Sequence, residues 1–224
     1  MADDATAPDF IPTEKTRVKR LHERGRYDRE TVYAILDAGF ICHVGYLIDG
    51  QPYVTPTSYW REGDRVYWHG SSASRMLRAI SKGTKVCLTV THIDGLVLAR
   101  SGFHSSINYR AVMAFGEAEV IADEAHKRKA LEAFVEHVTP GRWATLRPVT
   151  SQELKGTTVL SMKLTEVSAK VRTGPPKDDE EDYALPIWAG VLPLKLAGGA
   201  PVPDPRLTRN VPIPEHARKF VLER

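Results

Sequence analysis

Tyr53-Val-Thr-Pro-Thr-Ser-Tyr-Trp60-Arg-Glu-Gly-Asp64-Arg-Val-Tyr-Trp-His69-Gly-Ser-Ser-Ala-Ser-Arg75-Met-Leu77 is the stretch on which the fold turns. Tyr53 to Trp60 is dense in β-branched and aromatic residues, Arg61 to Asp64 is turn material, and Arg65 to His69 is strand-like again, which spells a hairpin. Gly70-Ser71-Ser72-Ala73-Ser74 then leads into a helical pattern opening at Arg75. Hydroxyls, loop amides, a helix start and a guanidinium are thus gathered in six residues, the chemistry of a phosphate seat. The plainer alternative is a Ser-capped helix with a solvated Arg75. Pro56 cannot donate to a ladder, so its strand is either an edge there or bulged.

Outward from this hairpin the chain keeps a rhythm of short strands. Asp28 can cap a first helix with Val32, Ile35 and Leu36 on one face and Gly39 as its exit. Phe40 to Leu47 is a strand that Asp49-Gly50 turns back into Tyr53–Trp60. After a short helix ending at Gly83 come a strand over 85–91, with Val86, Leu88 and Val90 facing one way, a turn at Asp94-Gly95, and another strand from Leu96. Ala111 to Ile121 is a strand in which Gly116 is a candidate bulge. Asp123 caps a helix to Val138 whose apolar stripe is Leu131, Phe134, Val135 and Val138, and Thr150 with Glu153 has capping-box spacing. Thr157 to Val167 is one more strand, with Leu160, Met162 and Leu164 inward. The pattern predicts an antiparallel or mixed barrel and no repeated βαβ unit.

The ends differ from the middle. Residues 1–16 read as a loose arm, and 17–174 as the barrel domain. The last 39 residues, from Pro186, carry seven prolines, too many for a continuing sheet. Yet Ile187 to Leu194 is too apolar to hang in water, so 175–224 is expected to wrap the barrel or a second subunit. The acid run Asp178 to Asp182 fits no calcium loop and reads as a solvated surface.

Composition is that of a water-soluble globular chain of 224 residues, 42% hydrophobic and 26% charged. A net charge of +3 gives no case for a nucleic-acid partner. No apolar run reaches membrane-spanning length and the start is polar and acidic, so a cytoplasmic protein with no membrane partner is expected. Cys42 and Cys87 lie in strands, belong to no CxxC pair and suggest buried thiols, not a metal site. GxGxxG, phosphate-loop, GxSxG and HExxH motifs are all missing from the sequence.

A phosphorylated aromatic ligand needs cationic donors at one end and flat apolar walls with backbone partners at the other. Arg75 with the hydroxyls of Ser71, Ser72 and Ser74 can meet the phosphate, Arg110 is a second cation, and the irregular backbone of Thr55 to Ser58 can reach a ring edge. Tyr59, Trp60, Trp68, Trp143 and Trp188 are candidate walls, or plain core.

Three segments, GQPYVTPTSYWREGDRVYWHGSSASRM, INYRAVMAFGEAEV and KVRTGPP…DY…PIWAGVLPL, carry a resemblance spanning roughly residues 17 to 194. The chain resembles the flavin-nucleotide-binding split β-barrels, in the pyridoxamine 5′-phosphate oxidase-like branch with the nitroimidazole-resistance-type proteins. That resemblance implies a mainly β, Greek-key-like antiparallel split barrel with a few flanking helices and a Pro-rich C-terminal wrap. It also implies a homodimer with FMN in the groove between subunits. Thr55, Pro56, Thr57 and Ser58 match the strand along the isoalloxazine edge, and His69, Ser71, Ser74 and Arg75 the phosphate side. Met76 takes the place beside the phosphate where many relatives carry a second cation. Ser106, Asn108 and Tyr109, with Arg110, fall where the next strand approaches the phosphate, and Trp188 is placed as a cover from the other subunit. Ala111 stands where relatives often have serine. No cationic set suits a pyridoxine phosphate substrate.

The function so implied is an FMN-dependent oxidoreductase passing electrons from a small-molecule donor, NAD(P)H among the candidates, to a small organic acceptor. The cofactor does the electron chemistry; His69 is the candidate catalytic residue should one be needed. Three alternatives stand beside it: a non-catalytic flavin-binding or storage protein, a deazaflavin barrel using Arg61, Arg65 and Arg78, and a haem barrel with an axial ligand among the scattered histidines.

Overall fold

The computed structural model describes residues 9–208 and 211–220. Helix α1 (Arg29–Asp37) is capped by Asp28, whose carboxylate accepts from the Thr31 N–H, and it buries Val32, Ile35 and Leu36. A two-residue strand β1 (Gly25–Arg26) precedes it, and β2 (Ile41–Ile48) follows. Asp49 and Gly50, with φ of 50° and 79°, make the primed turn that right-twisted strands favour, and send the chain into β3 (Gln51–Glu62). The hairpin read from sequence is therefore β3 with β4 (Arg65–Ser71), and α2 (Arg75–Ile80) is capped by Ser74. Next come β5 (Lys85–Leu98), β6 (Ser106–Glu117), β7 (Glu119–Val120) and α3 (Glu124–Val138). The chain closes with α4 (Ser151–Gly156), which has the full capping box of Thr150 and Glu153, then β8 (Thr157–Lys163), β9 (Glu166–Arg172), β10 (Gly190–Pro193) and α5 (Glu215–Arg218).

The strands form one curled sheet in the order β1-β9-β6-β5-β2-β3-β4-β8-β7, every pair antiparallel, with β10 added to β5. This is the antiparallel split barrel expected. Its interior is filled by residues such as Val44, Tyr59, Trp68, Leu88 and Met162, all fully buried. Cys42 belongs to this interior, and burial pushes its thiol up to about 12, so it is inert. A second cluster of Trp60, Tyr67, Ile121, Ala130 and Val159 lies on the opposite face of β3, β4 and β8, roofed by α3 through Leu131, Ala133 and Phe134. Ala130, not the wider stripe ending in Val138, is the residue α3 buries fully.

Four local expectations are corrected. Asp94-Gly95 is a bulge inside one continuous β5, where the register shifts between Ile93 and Gly95. Gly95 is needed because a Cβ there would stand 3.0 Å from the Leu192 carbonyl oxygen of β10. Gly116 pairs regularly with Val86 and is no bulge; its missing Cβ would meet Met162 Sδ at 2.8 Å, where the curled sheet brings β6 against β8. The segment 157–167 is two strands, separated at Leu164 and Thr165. Asp178 is not solvated: its side chain is fully buried, accepting from the Arg100 N–H at 2.9 Å and from the Arg100 guanidinium at 3.0 Å.

The ends are tied down where they are described. Residues 1–8 of the expected arm lie outside the described residues. Phe10 is buried and donates its N–H to Tyr27 O, while Lys15 and Thr13 both reach Glu166, so the rest of that arm is not loose. At the other end, Gly190 to Pro193 pair with Leu98 to Gly95 of the same chain, which places the apolar tail segment on its own barrel.

Candidate functional site

Gln51 to Ser58 of β3 pair with β2 alone, because β4 takes up β3 only from Tyr59 onward. The Tyr59 N–H donates to Phe40 O, so by strand alternation the odd-numbered residues bond β2 and Val54, Pro56 and Ser58 direct their backbone away from it. Pro56 therefore costs no ladder bond, and of the two possibilities it marks an edge. The edge offers the N–H groups of Val54 and Ser58 and the carbonyls of Val54, Pro56 and Ser58.

Arg75 meets the start of this strand at Tyr53. Its guanidinium carbon is 4.6 Å from the centre of the Tyr53 ring, Tyr53 stacks on Tyr46 at 5.7 Å with planes 19° apart, and Tyr46 Oη meets Thr55 Oγ1 at 3.1 Å. A two-ring ladder thus aims an exposed cation along β3. Tyr46 and Tyr53 were not singled out in the sequence. Their signal was there: the Asp49-Gly50 turn puts them directly opposite each other.

The loop before Arg75 is less open than its composition suggests. Ser72 N–H donates to Gly156 O, Ala73 N–H to Ser71 Oγ and Ser74 N–H to Ser71 O, so these amides are spent internally. Anion binding here falls to side chains: Arg75, Arg78, whose Nε is partly used by Ser72 O, and the Ser72 hydroxyl. Ser71 Oγ and Ser74 Oγ are engaged as acceptors, the latter by Leu77 N–H at 3.5 Å. Met76 faces the core with 6% exposure, so the expected cofactor contact is closed to it.

His69 does not point with Arg75. It shares the α3 side of β4 with Tyr67, its ring 4.5 Å from that of Phe134 and 5.8 Å from that of Trp60. Nδ1 is buried without a hydrogen-bond partner, and burial lowers its pKa, so the ring is neutral at neutral pH.

β5 and β2 separate β6 from β3, and the β6 residues have their own partners. Arg110 makes a bidentate pair with Asp94 at 2.9 Å, which raises its pKa further. Asn108 is buried, donating to Gly174 O and accepting from Arg172. Ser106 lines a cavity with Arg172, and Tyr109 lines a smaller one beside it. Trp188 is 66% exposed and folds over Gly190 at the start of β10. In this chain, then, Arg75 meets β3 at Tyr53, with Thr55 joined to the same ladder through Tyr46, Thr57 and Ser58 lie further along that strand, and β2 and β5 separate Ser106 to Arg110 from it. The run Lys15 to Arg26 also escaped notice, although it holds six cations.

Over residues 28–171 the sequence matches the family described as Pyridoxamine 5′-phosphate oxidase. The chain belongs to the pyridoxamine 5′-phosphate oxidase-like split barrels. Within that fold the flavocytochrome Anf3 from Azotobacter vinelandii is 53% identical, with a TM-score of 0.89 over 94% of this chain and 98% of its own. The FAD and heme binding protein from Mycobacterium smegmatis is 36% identical, with a TM-score of 0.85 over 90% of this chain and 100% of its own. A Bacteroides thetaiotaomicron structure named for 5-nitroimidazole antibiotic resistance shares the fold at 23% identity and a TM-score of 0.56, over 66% of this chain and 86% of its own. No curated protein matches the chain. Among the described residues, no helix of this split barrel is long and apolar enough to cross a membrane, and no group of three or more metal-binding side chains occurs.

Proposed function

We propose that the protein is a flavocytochrome, holding a flavin dinucleotide at the open edge of β3 and a haem ligated by His69. The observation that carries this reading is the likeness, along nearly the whole of both chains, to a flavocytochrome and to an FAD and heme binding protein. It replaces FMN by FAD as the expected flavin, and it favours the haem alternative over an oxidoreductase with flavin alone.

The residues present fit both groups. For a flavin, Arg75 supplies a charge-assisted donor for phosphate, and the Val54 and Ser58 N–H groups with the carbonyls beside them suit the alternating donors and acceptors of the ring edge. For a haem, iron takes a neutral imidazole nitrogen, and His69 Nδ1 is the buried histidine Nδ1 without a partner among the described residues. When bound, a flavin would supply two-electron acceptance with release one electron at a time, and a haem would supply single-electron transfer. The chain's part is to hold the phosphate, to fix the ring edge and to keep the His69 ring unprotonated.

The absorption spectrum of protein purified without added cofactor tests this. Flavin and Soret bands together are the expected result; neither band, even after incubation with FAD and haemin, would sink it. Arg75→Ala should weaken flavin binding about 10- to 100-fold, the range for losing a charged hydrogen bond, and leave the Soret band in place.

A homodimer belongs to the same proposal. Ile41 and Leu47 of β2, Val54 of β3, Ile93 of β5 and Met113 of β6 point to one outer face and are 43–68% exposed. Apolar area of that kind is buried by a second copy. Light scattering should give twice the 25.0 kDa chain mass, and Val54→Glu with Ile93→Glu should return the single mass. A single-chain mass for the wild type counts against the dimer.

A further inference from the structure

Beside the C-terminal end of β9, away from Arg75, lies a cavity of about 560 Å³, a size that suits a small-molecule ligand. Arg20, Arg24, Arg26, Arg172 and Lys177 line it, against one carboxylate, Glu23. That acid makes one ion pair, with Arg24 at 3.9 Å, and among the described residues no carboxylate pairs with Arg20, Arg26, Arg172 or Lys177. Arg26 is held in place by the Glu23 and Gly25 carbonyls at 2.7 and 2.8 Å, which leaves its charge uncompensated.

Arg172 is the telling residue. It is 8% exposed, it gives one guanidinium nitrogen to Asn108, and its Nε is buried with no partner. An unpaired donor on a buried cation is costly, and five cations around one space repel each other. Burial and the neighbouring Arg24 already depress its proton affinity. A multiply charged anion would relieve all of this together. At the mouth stands Phe103, 91% exposed, a flat apolar face left in water beside a cationic well. Few of the other lining side chains are apolar, which disfavours a haem in this space.

We infer that this cavity is a docking site for the pyrophosphate of a nucleotide, gripped by Arg24, Arg172 and Lys177, with Phe103 as the platform for its base. Pyrophosphate brings several negative charges in a compact group, and base stacking on an aromatic ring is the usual companion of such binding. The site does not depend on the flavin and haem reading. The nucleotide is a free ligand, such as an electron donor, because the one pyrophosphate of a flavin dinucleotide held at β3 is met by Arg75, which does not line this cavity.

Calorimetric titration with adenosine diphosphate and with inorganic pyrophosphate, on protein as isolated and after removal of any flavin, decides the matter. Binding of both is expected, weakening with salt and falling roughly tenfold or more in R24E/K177E, whose side chains lie at the cavity rim. Arg172 is left alone in this test, because its loss would strand Asn108. F103A should weaken adenosine diphosphate and spare pyrophosphate. Binding to the protein as isolated supports the site; binding only after flavin removal means that the flavin dinucleotide itself fills the cavity, and overturns a separate nucleotide site. Absence of binding in both forms, or binding indifferent to R24E/K177E, overturns the site, and adenosine diphosphate affinity unchanged in F103A overturns the platform. The chromophore spectrum is read separately, so failure of the flavocytochrome reading leaves these outcomes distinct.

Discussion

His69→Ala is expected to abolish the Soret band of the purified protein and leave the flavin band. Packed against Phe134 and Trp60, the imidazole is kept neutral, and its Nδ1 lone pair or proton meets nothing among the described residues. A polar atom in that state costs free energy unless a ligand completes it. If His69 holds the iron, removing its imidazole would lower haem occupancy as a whole. The substitution also opens a space against Phe134, so added imidazole should restore the Soret band, which separates lost ligation from lost folding. A full Soret band in His69→Ala would remove the residue from the proposal.

Trp68→Ala should be the most damaging single change to the fold near the site. The side chain is fully buried in the barrel interior with Leu77 of α2. Truncations of this kind cost about 3–5 kcal/mol through lost transfer energy and the cavity left behind. For a chain of this length that is a fall in Tm of roughly 10 °C. Because α2 rests on that layer, Arg75 loses its placement and flavin retention should fall in parallel. Trp188→Ala is the control: at 66% exposure it should leave Tm nearly unchanged in thermal melts. Equal effects of the two would contradict the burial on which the argument rests.

Local chemistry was legible in the sequence wherever a few neighbouring residues decide the outcome. Asp28, Ser74, Asp123 and Thr150 each cap the helix their spacing announced. Asp49-Gly50 made its hairpin, and Val86, Leu88 and Val90 buried one face of their strand. Contacts between distant segments were not legible. Asp94-Gly95 has the composition of a turn, and only β10, more than ninety residues later, explains why a glycine belongs inside a strand there. Gly116 likewise answers to Met162 rather than to its own neighbours. Asp178 looked like one acid in a solvated run because its partner, Arg100, is remote in the chain. The same limit applies to the candidate site. Arg75 could be singled out from its loop, but the Tyr46–Tyr53 ladder beneath it needed the strand register, and Arg172 with Arg24 needed β9 and the N-terminal segment in one place.

The addition of β10 to β5 has a consequence for biosynthesis. Leu96 and Leu98 sit on the stretch of β5 that β10 covers, and Gly190 pairs with Leu98 across 91 intervening positions of chain. A ribosome must therefore release the chain past residue 193 before that strand is available, and until then an apolar edge stands unpaired. Chains cut short between the end of β9 and residue 190 carry the same exposed edge permanently, so nonsense and frameshift lesions there yield an adhesive product instead of a merely shortened one.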